Sequence, residues 1–249
     1  CLLSRGLGDV YKRQVLYCAA RYPEQELRLR EYLRGYREEG LGEDDYRWLP
    51  AEELAQQLRI PGAYGAIHSP HCATIQPARL VRGLARCVEA MGVSIYEGTP
   101  ALSWQAGSVR CEAGEVRADW VVPAVEGYSP NLPPPGRHQV PVQSLIVASE
   151  PLPASTWAEI GLERGQAFCE ASRQVTYGQR SRDDRLIFGA RGGYRFGSKL
   201  RSDFNLNDEE RGLRRYLFSE LFPQLRNVRI THAWGCLLYT SDAADDLLC

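Results

Sequence analysis

Long apolar runs are missing from this sequence. No stretch approaches the roughly 20 residues a helix needs to cross a bilayer, and residues 1–7 are too short for a secretory leader core and lack a small-residue cleavage site. Neither export nor a membrane partner is expected. An excess of one charge is missing too: 30 lysines and arginines meet 31 aspartates and glutamates, leaving a formal net charge of -1. Such a balance does not attract a polyanion, so nucleic acid is not an expected partner. Eight cysteines are present, but without a Cys-x-x-Cys pair or the close spacing of a disulfide framework. Scattered reduced thiols and a cytoplasmic setting are the expectation. Also absent are an internal repeat, a low-complexity segment, a Gly-x-Ser-x-Gly elbow and the Ser/His/Asp order of a hydrolase.

What is present is a chain of 249 residues, 44% of them hydrophobic, enough for one large or two small domains around a substantial core. A soluble globular protein is expected. The two ends read differently from the rest. Residues 1–14 (CLLSRGLGDVYKRQ) join Val15-Leu16-Tyr17-Cys18 with no turn or cap signal, and residues 236–249 (CLLYTSDAADDLLC) interrupt a strand-like stretch at 228–234. Both resemble translated sequencing adapter, so they are expected to be foreign to the fold and to make few core contacts. Gly6-Leu7-Gly8 therefore carries no weight as a dinucleotide motif, having no preceding strand and no third glycine.

Between these ends the hydrophobic spacing predicts helices at 24–39, 50–58, 77–91 and 207–222. Leu80, Leu84, Cys87, Val88 and Met91 fall on one stripe of the third helix, with Pro77 suited to its first turn and Gly92 to its end. The fourth has an Asn207/Glu210 capping box, Leu213, Leu217 and Leu221 on its inward side, and Pro223 as the stop. Strands are expected at 64–69, 93–96, 108–111, 115–118 and 120–125, the last a buried one. Further strands are expected at 143–150, 167–170, 174–180 and 185–190, with Asp183-Asp184 as a hairpin turn. The Pro-rich run 131–141 (NLPPPGRHQVP) reads as a crossing between domains.

Two strings carry a family likeness. Pro70-His71-Cys72-Ala73-Thr74-Ile75-Gln76-Pro77-Ala78-Arg79-Leu80-Val81, leading to Glu97-Gly98-Thr99-Pro100, resembles the segment that returns D-amino-acid oxidase relatives to their FAD domain. Ala118-Asp119-Trp120-Val121-Val122-Pro123-Ala124-Val125-Glu126-Gly127-Tyr128-Ser129-Pro130 resembles a later strand and turn of the same superfamily. The match continues through Phe188-Gly189-Ala190-Arg191-Gly192 to Trp234-Gly235, and its flavour is that of the sarcosine, glycine and gamma-glutamylputrescine oxidase-like branch. It implies an α+β or α/β architecture, with a partial Rossmann-like FAD-binding domain and an antiparallel-sheet substrate domain. The segments would be 15–73 and 132–231 for the substrate domain, 74–131 for the FAD domain, and 232–235 returning toward it. The N-terminal strand, Gly-x-Gly-x-x-Gly turn and ribose-binding acid of the superfamily are not found in this sequence, nor is its C-terminal closing element.

The implied chemistry is hydride transfer from the carbon beside an amine to FAD, giving an imine that hydrolyses, with a small amine or amino acid as substrate. The resemblance brings Ala101, the turn Ala124-Val125-Glu126-Gly127, and Trp234 and Gly235 beside the cofactor; the alternative is an ordinary strand end and hairpin turn. Tyr177 and Arg191 become the candidate catalytic pair, Arg191 for a substrate carboxylate and Tyr177 to shape the amine pocket. The alternative there is a surface arginine and a cross-strand aromatic on a half-exposed sheet. His68-x-x-His71-Cys72 offers three metal-ligand types in five residues, but Pro70 breaks helical spacing and no second ligand cluster exists, so a strand-to-loop histidine pair is expected. Arg191-Gly192-Gly193-Tyr194-Arg195 is too short for an RNA-binding tract. A non-enzymatic binding module built from the sheet and its helices remains the rival to the enzyme.

Overall fold

The computed structural model describes residues 14–125, 140–173, 175–191 and 205–240. In chain order the elements begin with β1 (Gln14–Ala20), α1 (Pro23–Glu38), β2 (Arg47–Pro50), α2 (Ala51–Gln57) and β3 (Gly65–Cys72). Next come α3 (Pro77–Ala90), β4 (Ala101–Gln105), β5 (Ser108–Cys111), β6 (Gly114–Arg117) and β7 (Val140–Ser149). The last are α4 (Ala154–Ile160), β8 (Ala167–Glu170), β9 (Thr176–Arg180), β10 (Leu186–Arg191), α5 (Asp208–Leu221) and β11 (Ile230–Thr240). This is a mixed α+β chain that separates into two compact units. The described residues of the first are 14–74, 144–191 and 205–236; those of the second are 75–125, 140–143 and 237–240.

In the first unit the strands form one sheet in the order β11-β7-β10-β9-β8-β1-β3-β2. The pairs β2/β3, β1/β3, β8/β9, β9/β10 and β10/β7 are antiparallel, whereas β1 and β8 run parallel. Period-2 alternation then sorts each strand onto two faces. Tyr17 and Ala19 of β1, Phe168 of β8, Phe188 of β10 and Val147 of β7 turn to one face, where they are buried with Leu54 of α2, Trp157 and Ile160 of α4, and Phe218 and Leu221 of α5. Rings interlock edge-on there, Phe168 with Phe222 at 5.3 Å and Phe188 with Phe218 at 5.9 Å between centroids. On the other face Leu29 of α1 meets Ala20 and Ile67 in a smaller cluster. α4 ends at Gly161, whose φ of +89° is left-handed and whose Cβ, if present, would lie 2.6 Å from the Gln57 carbonyl oxygen. α5 starts on the expected capping box: Asn207 Oδ1 accepts from the Glu210 amide at 2.8 Å, and Glu210 Oε2 accepts from the Asn207 amide at 2.9 Å. Of the leucines expected inward, Leu221 is buried and Leu217 packs partly buried against the core, whereas Leu213 is exposed and Arg214, Phe218 and Ser219 are also buried. β11 runs unbroken past Gly235 to Thr240, where the native strand was expected to stop; Cys-Leu-Leu-Tyr-Thr is itself compatible with a strand.

The second unit carries α3 and the three-stranded antiparallel meander β4-β5-β6. α3 begins at Pro77 under Gln76, whose Oε1 accepts from the Arg79 amide at 2.7 Å. None of its residues is buried, so the stripe containing Leu80, Leu84 and Met91 faces outward. Residues 93–96 form no strand, and the apolar run from Trp120 forms neither strand nor core: Trp120 is 87% and Val122 81% exposed. Hydrophobicity drives burial only where another element supplies the covering surface, and none of the described residues covers these. No helix among the described residues is long and apolar enough to cross a membrane.

Candidate functional site

Register on the first unit's sheet decides what Tyr177 and Arg191 can do. Tyr177 of β9 lies opposite Gly189 of β10, and Arg191 of β10 lies opposite Ser144 of β7. Opposed residues share a face, and so do residues two apart on one strand. Tyr177, Gly189, Arg191 and Ser144 therefore occupy one face, the reverse of the one that buries Phe188 and Ala190. The sheet brings the two residues singled out from the sequence onto a common surface and adds Ser144 to them. The Ser144 and Tyr177 hydroxyls share a short hydrogen bond, with Ser144 buried and Tyr177 and Arg191 half-buried. Gly189 makes room for the tyrosine ring: a Cβ at that position would collide with it, 2.6 Å from the phenol oxygen. The result is an anchored phenol next to a strand end that carries a guanidinium, a combination able to hold a carboxylate and the group beside it.

The same face continues across β8 and β1. Cys169 lies opposite Tyr177, and Cys18 lies opposite Cys169 on the parallel strand. Both are free thiols. A hydrogen bond with Cys18 and then burial push the Cys169 thiol well above the ordinary cysteine range, which favours its neutral form. Behind the sheet, Arg214 of α5 is 1% exposed, and burial lowers its pKa while the nearby Glu210 and Tyr177 oppose that shift. Sequence reasoning found neither Ser144 nor Arg214, one lying in an apolar strand and the other in a charged helix.

The residues expected beside a cofactor fall in both units. Trp234 and Gly235 are in β11 of the first. In the second, Ala101 opens β4 opposite Cys111 and is half-buried, Ala124 is exposed with its amide donating to the Val122 carbonyl at 3.0 Å, and Val125 is half-buried. Glu126 and Gly127 lie outside the described residues. A dinucleotide needs helix N-terminal amides or a glycine-rich turn for its diphosphate. The first turn of α3 is closed by Gln76 and Pro77, and no other described helix of the second unit offers one. The described residues thus do not make up a whole FAD site. Of the histidine pair, His71 Nε2 meets Asp45 Oδ1 at 2.8 Å and His68 packs edge-on against Tyr17. No group of three histidine, cysteine, aspartate or glutamate side chains among the described residues is placed to hold a metal.

The first unit is thus a mixed α+β unit built on a largely antiparallel sheet, with a tyrosine, a serine and an arginine on one face. The family model described as DAO, FAD dependent oxidoreductase, matches residues 2–247, and this chain belongs to that family of FAD-dependent enzymes. The probable oxidoreductase OrdL of Rhizobium meliloti (strain 1021) is 34% identical over 193 residues, which are 76% of this chain and 42% of that protein. Its namesake from Haemophilus influenzae is 27% identical over 192 residues, 74% of this chain and 42% of that protein. Among solved structures, glycine oxidase from Geobacillus kaustophilus superposes with a TM-score of 0.74 at 17% identity, over 92% of this chain and 60% of that one. The chain spans about two-fifths of the length of the curated relatives it matches.

Proposed function

We propose that the complete protein oxidises the carbon–nitrogen bond of a small amine or amino acid, and that this chain supplies the substrate-facing sheet together with part of the flavin domain. Residues 15–73 and 132–231 would belong to the substrate side and 74–131 with 232–235 to the flavin side, in a cytoplasmic enzyme. Bound FAD would accept the electrons. The chain's own residues bind and orient: Arg191 pairs with the substrate carboxylate, and Tyr177, fixed by Ser144 and by the glycine beneath its ring, walls the amine. The observation carrying this reading is the common face of Tyr177, Ser144 and Arg191. A neighbour named for glycine oxidation is consistent with a carboxylated substrate.

In the completed protein Arg191→Met should weaken kcat/KM for a carboxylated amine by about 1.5–3 kcal/mol while leaving an uncarboxylated amine nearly unchanged. Equal losses on both substrates would show that Arg191 has a structural role only. Flavin absorbance separates enzyme from binding module: colour retained by the completed protein supports the former, and a completed protein that takes up no flavin rejects it.

A further inference from the structure

Arg214 stands out as a buried cation that the candidate site does not use. Removing a guanidinium from water is costly unless its donors are satisfied. Here Nε donates to the Leu145 carbonyl at 3.4 Å, Nη1 to the Glu210 carbonyl at 3.3 Å, and Nη2 to the Ala190 and Arg191 carbonyls at 3.4 Å each. Three of these four acceptors belong to two neighbouring strands. Leu145 is the residue after Ser144 on β7, and Ala190 and Arg191 close β10. A planar fork of donors bridges such a pair of neighbouring strands from behind, which a single point charge or an apolar side chain cannot do.

We infer that Arg214 is a positioning residue for the candidate site: from the core side it clamps the end of β10 to the middle of β7, and so fixes Arg191 and Ser144 relative to Tyr177 on the opposite face. Arg191 is the last residue of β10 and pairs with Ser144 in the middle of β7, and a strand end frays unless something ties it. α5 is itself locked in place by its capping box and by Phe218 and Leu221 in the core, so the clamp is anchored to a rigid element. The value of the clamp for substrate rests on the function proposed above; the clamp itself does not, and it is tested without substrate.

The test uses the full chain with Arg214→Lys and Arg214→Met. Hydrogen exchange is read residue by residue, together with the ¹³Cζ resonance of Tyr177 assigned through Tyr177→Phe. In the lysine variant, amides at 144–146 and 189–191 should lose protection by about tenfold or more while those of β8 and β1 keep theirs. The Tyr177 resonance should move in both variants, less in the lysine one, which keeps the charge but not the fork. Arg214→Met should give the same local loss in larger measure; if it does not fold, the lysine variant decides alone. Unchanged exchange at 144–146 and 189–191, uniform loss across the sheet, or a stationary Tyr177 resonance would overturn the assignment. If exchange and resonance respond as expected but Arg191→Met fails to discriminate carboxylated from uncarboxylated amines, the functional reading falls and the clamp stands.

Discussion

The two units treat the same kind of residue in opposite ways. In the first, Phe168, Phe188, Phe218, Leu145 and Val147 come from strands and a helix far apart in the chain and bury one another completely. In the second, Leu80, Leu84, Met91, Trp120 and Val122 are as apolar and as regularly spaced, yet each is open to solvent. The contrast teaches that an amphipathic pattern specifies which face wants cover and says nothing about whether cover is supplied. Among the described residues, only the first unit has a second layer of elements to provide it.

The comparison can be broken most sharply at Phe188. Truncating this fully buried ring to alanine should cost about 3–5 kcal/mol of unfolding free energy, read from denaturant midpoints at constant slope. A loss below about 1 kcal/mol would mean that the first unit's core is no better packed than the second's surface. A smaller effect should appear with alkali. Tyr17 donates its hydroxyl to Gln57 Oε1 at 2.8 Å, and burial pushes its phenol up to about 12. Because the folded value lies above the unfolded one, this contribution is complete below pH about 10 and is lost as pH rises toward about 12, on the order of 2 kcal/mol in all. Tyr17→Phe should flatten that decline, and an identical alkaline profile in the variant would remove Tyr17 from the account. The smallest effect belongs to the second unit: Leu84→Ala, on a half-exposed helix face, should stay within about 0.5 kcal/mol. A loss comparable to that of Phe188→Ala would erase the distinction between the units.

Much of the local structure could be read from the sequence because its signals are local. The Asn207/Glu210 box, Pro77 at a helix start, and the alternation across 167–170 each involve residues within a few positions of one another, and each appears where expected. Among the elements that went unforeseen, β2 spans four residues and α4 seven, too few to display a period, while β1, also unforeseen, begins at the junction with the segment read as foreign. The strands expected at 93–96 and 120–125 failed for the reason the units differ, since an apolar run reports a preference for burial and not its fulfilment. The site was half legible. Tyr177 and Arg191 could be placed on adjacent strands, but their common face depends on the pairing of Tyr177 with Gly189, and Ser144 enters only through its pairing with Arg191. Register is a long-range property that no single segment encodes. Arg214 ran against the pattern outright, an arginine taking the inward position where a leucine was expected.

The parallel pairing of β1 with β8 also bears on the order in which this chain can be assembled. A ribosome delivers β1, β2 and β3 before the other strands of their sheet, and those three can associate through their antiparallel pairings as soon as β3 has emerged. The far edge of β1, however, has no partner until residues 167–170 emerge, after residues 75–143 of the second unit have been made. Throughout that interval the nascent chain displays an open row of amides and carbonyls flanked by Tyr17 and Ala19, an edge of the kind that captures stray strands. Synthesis of the second unit thus sets a waiting time, and the hazard of the fold lies in that delay.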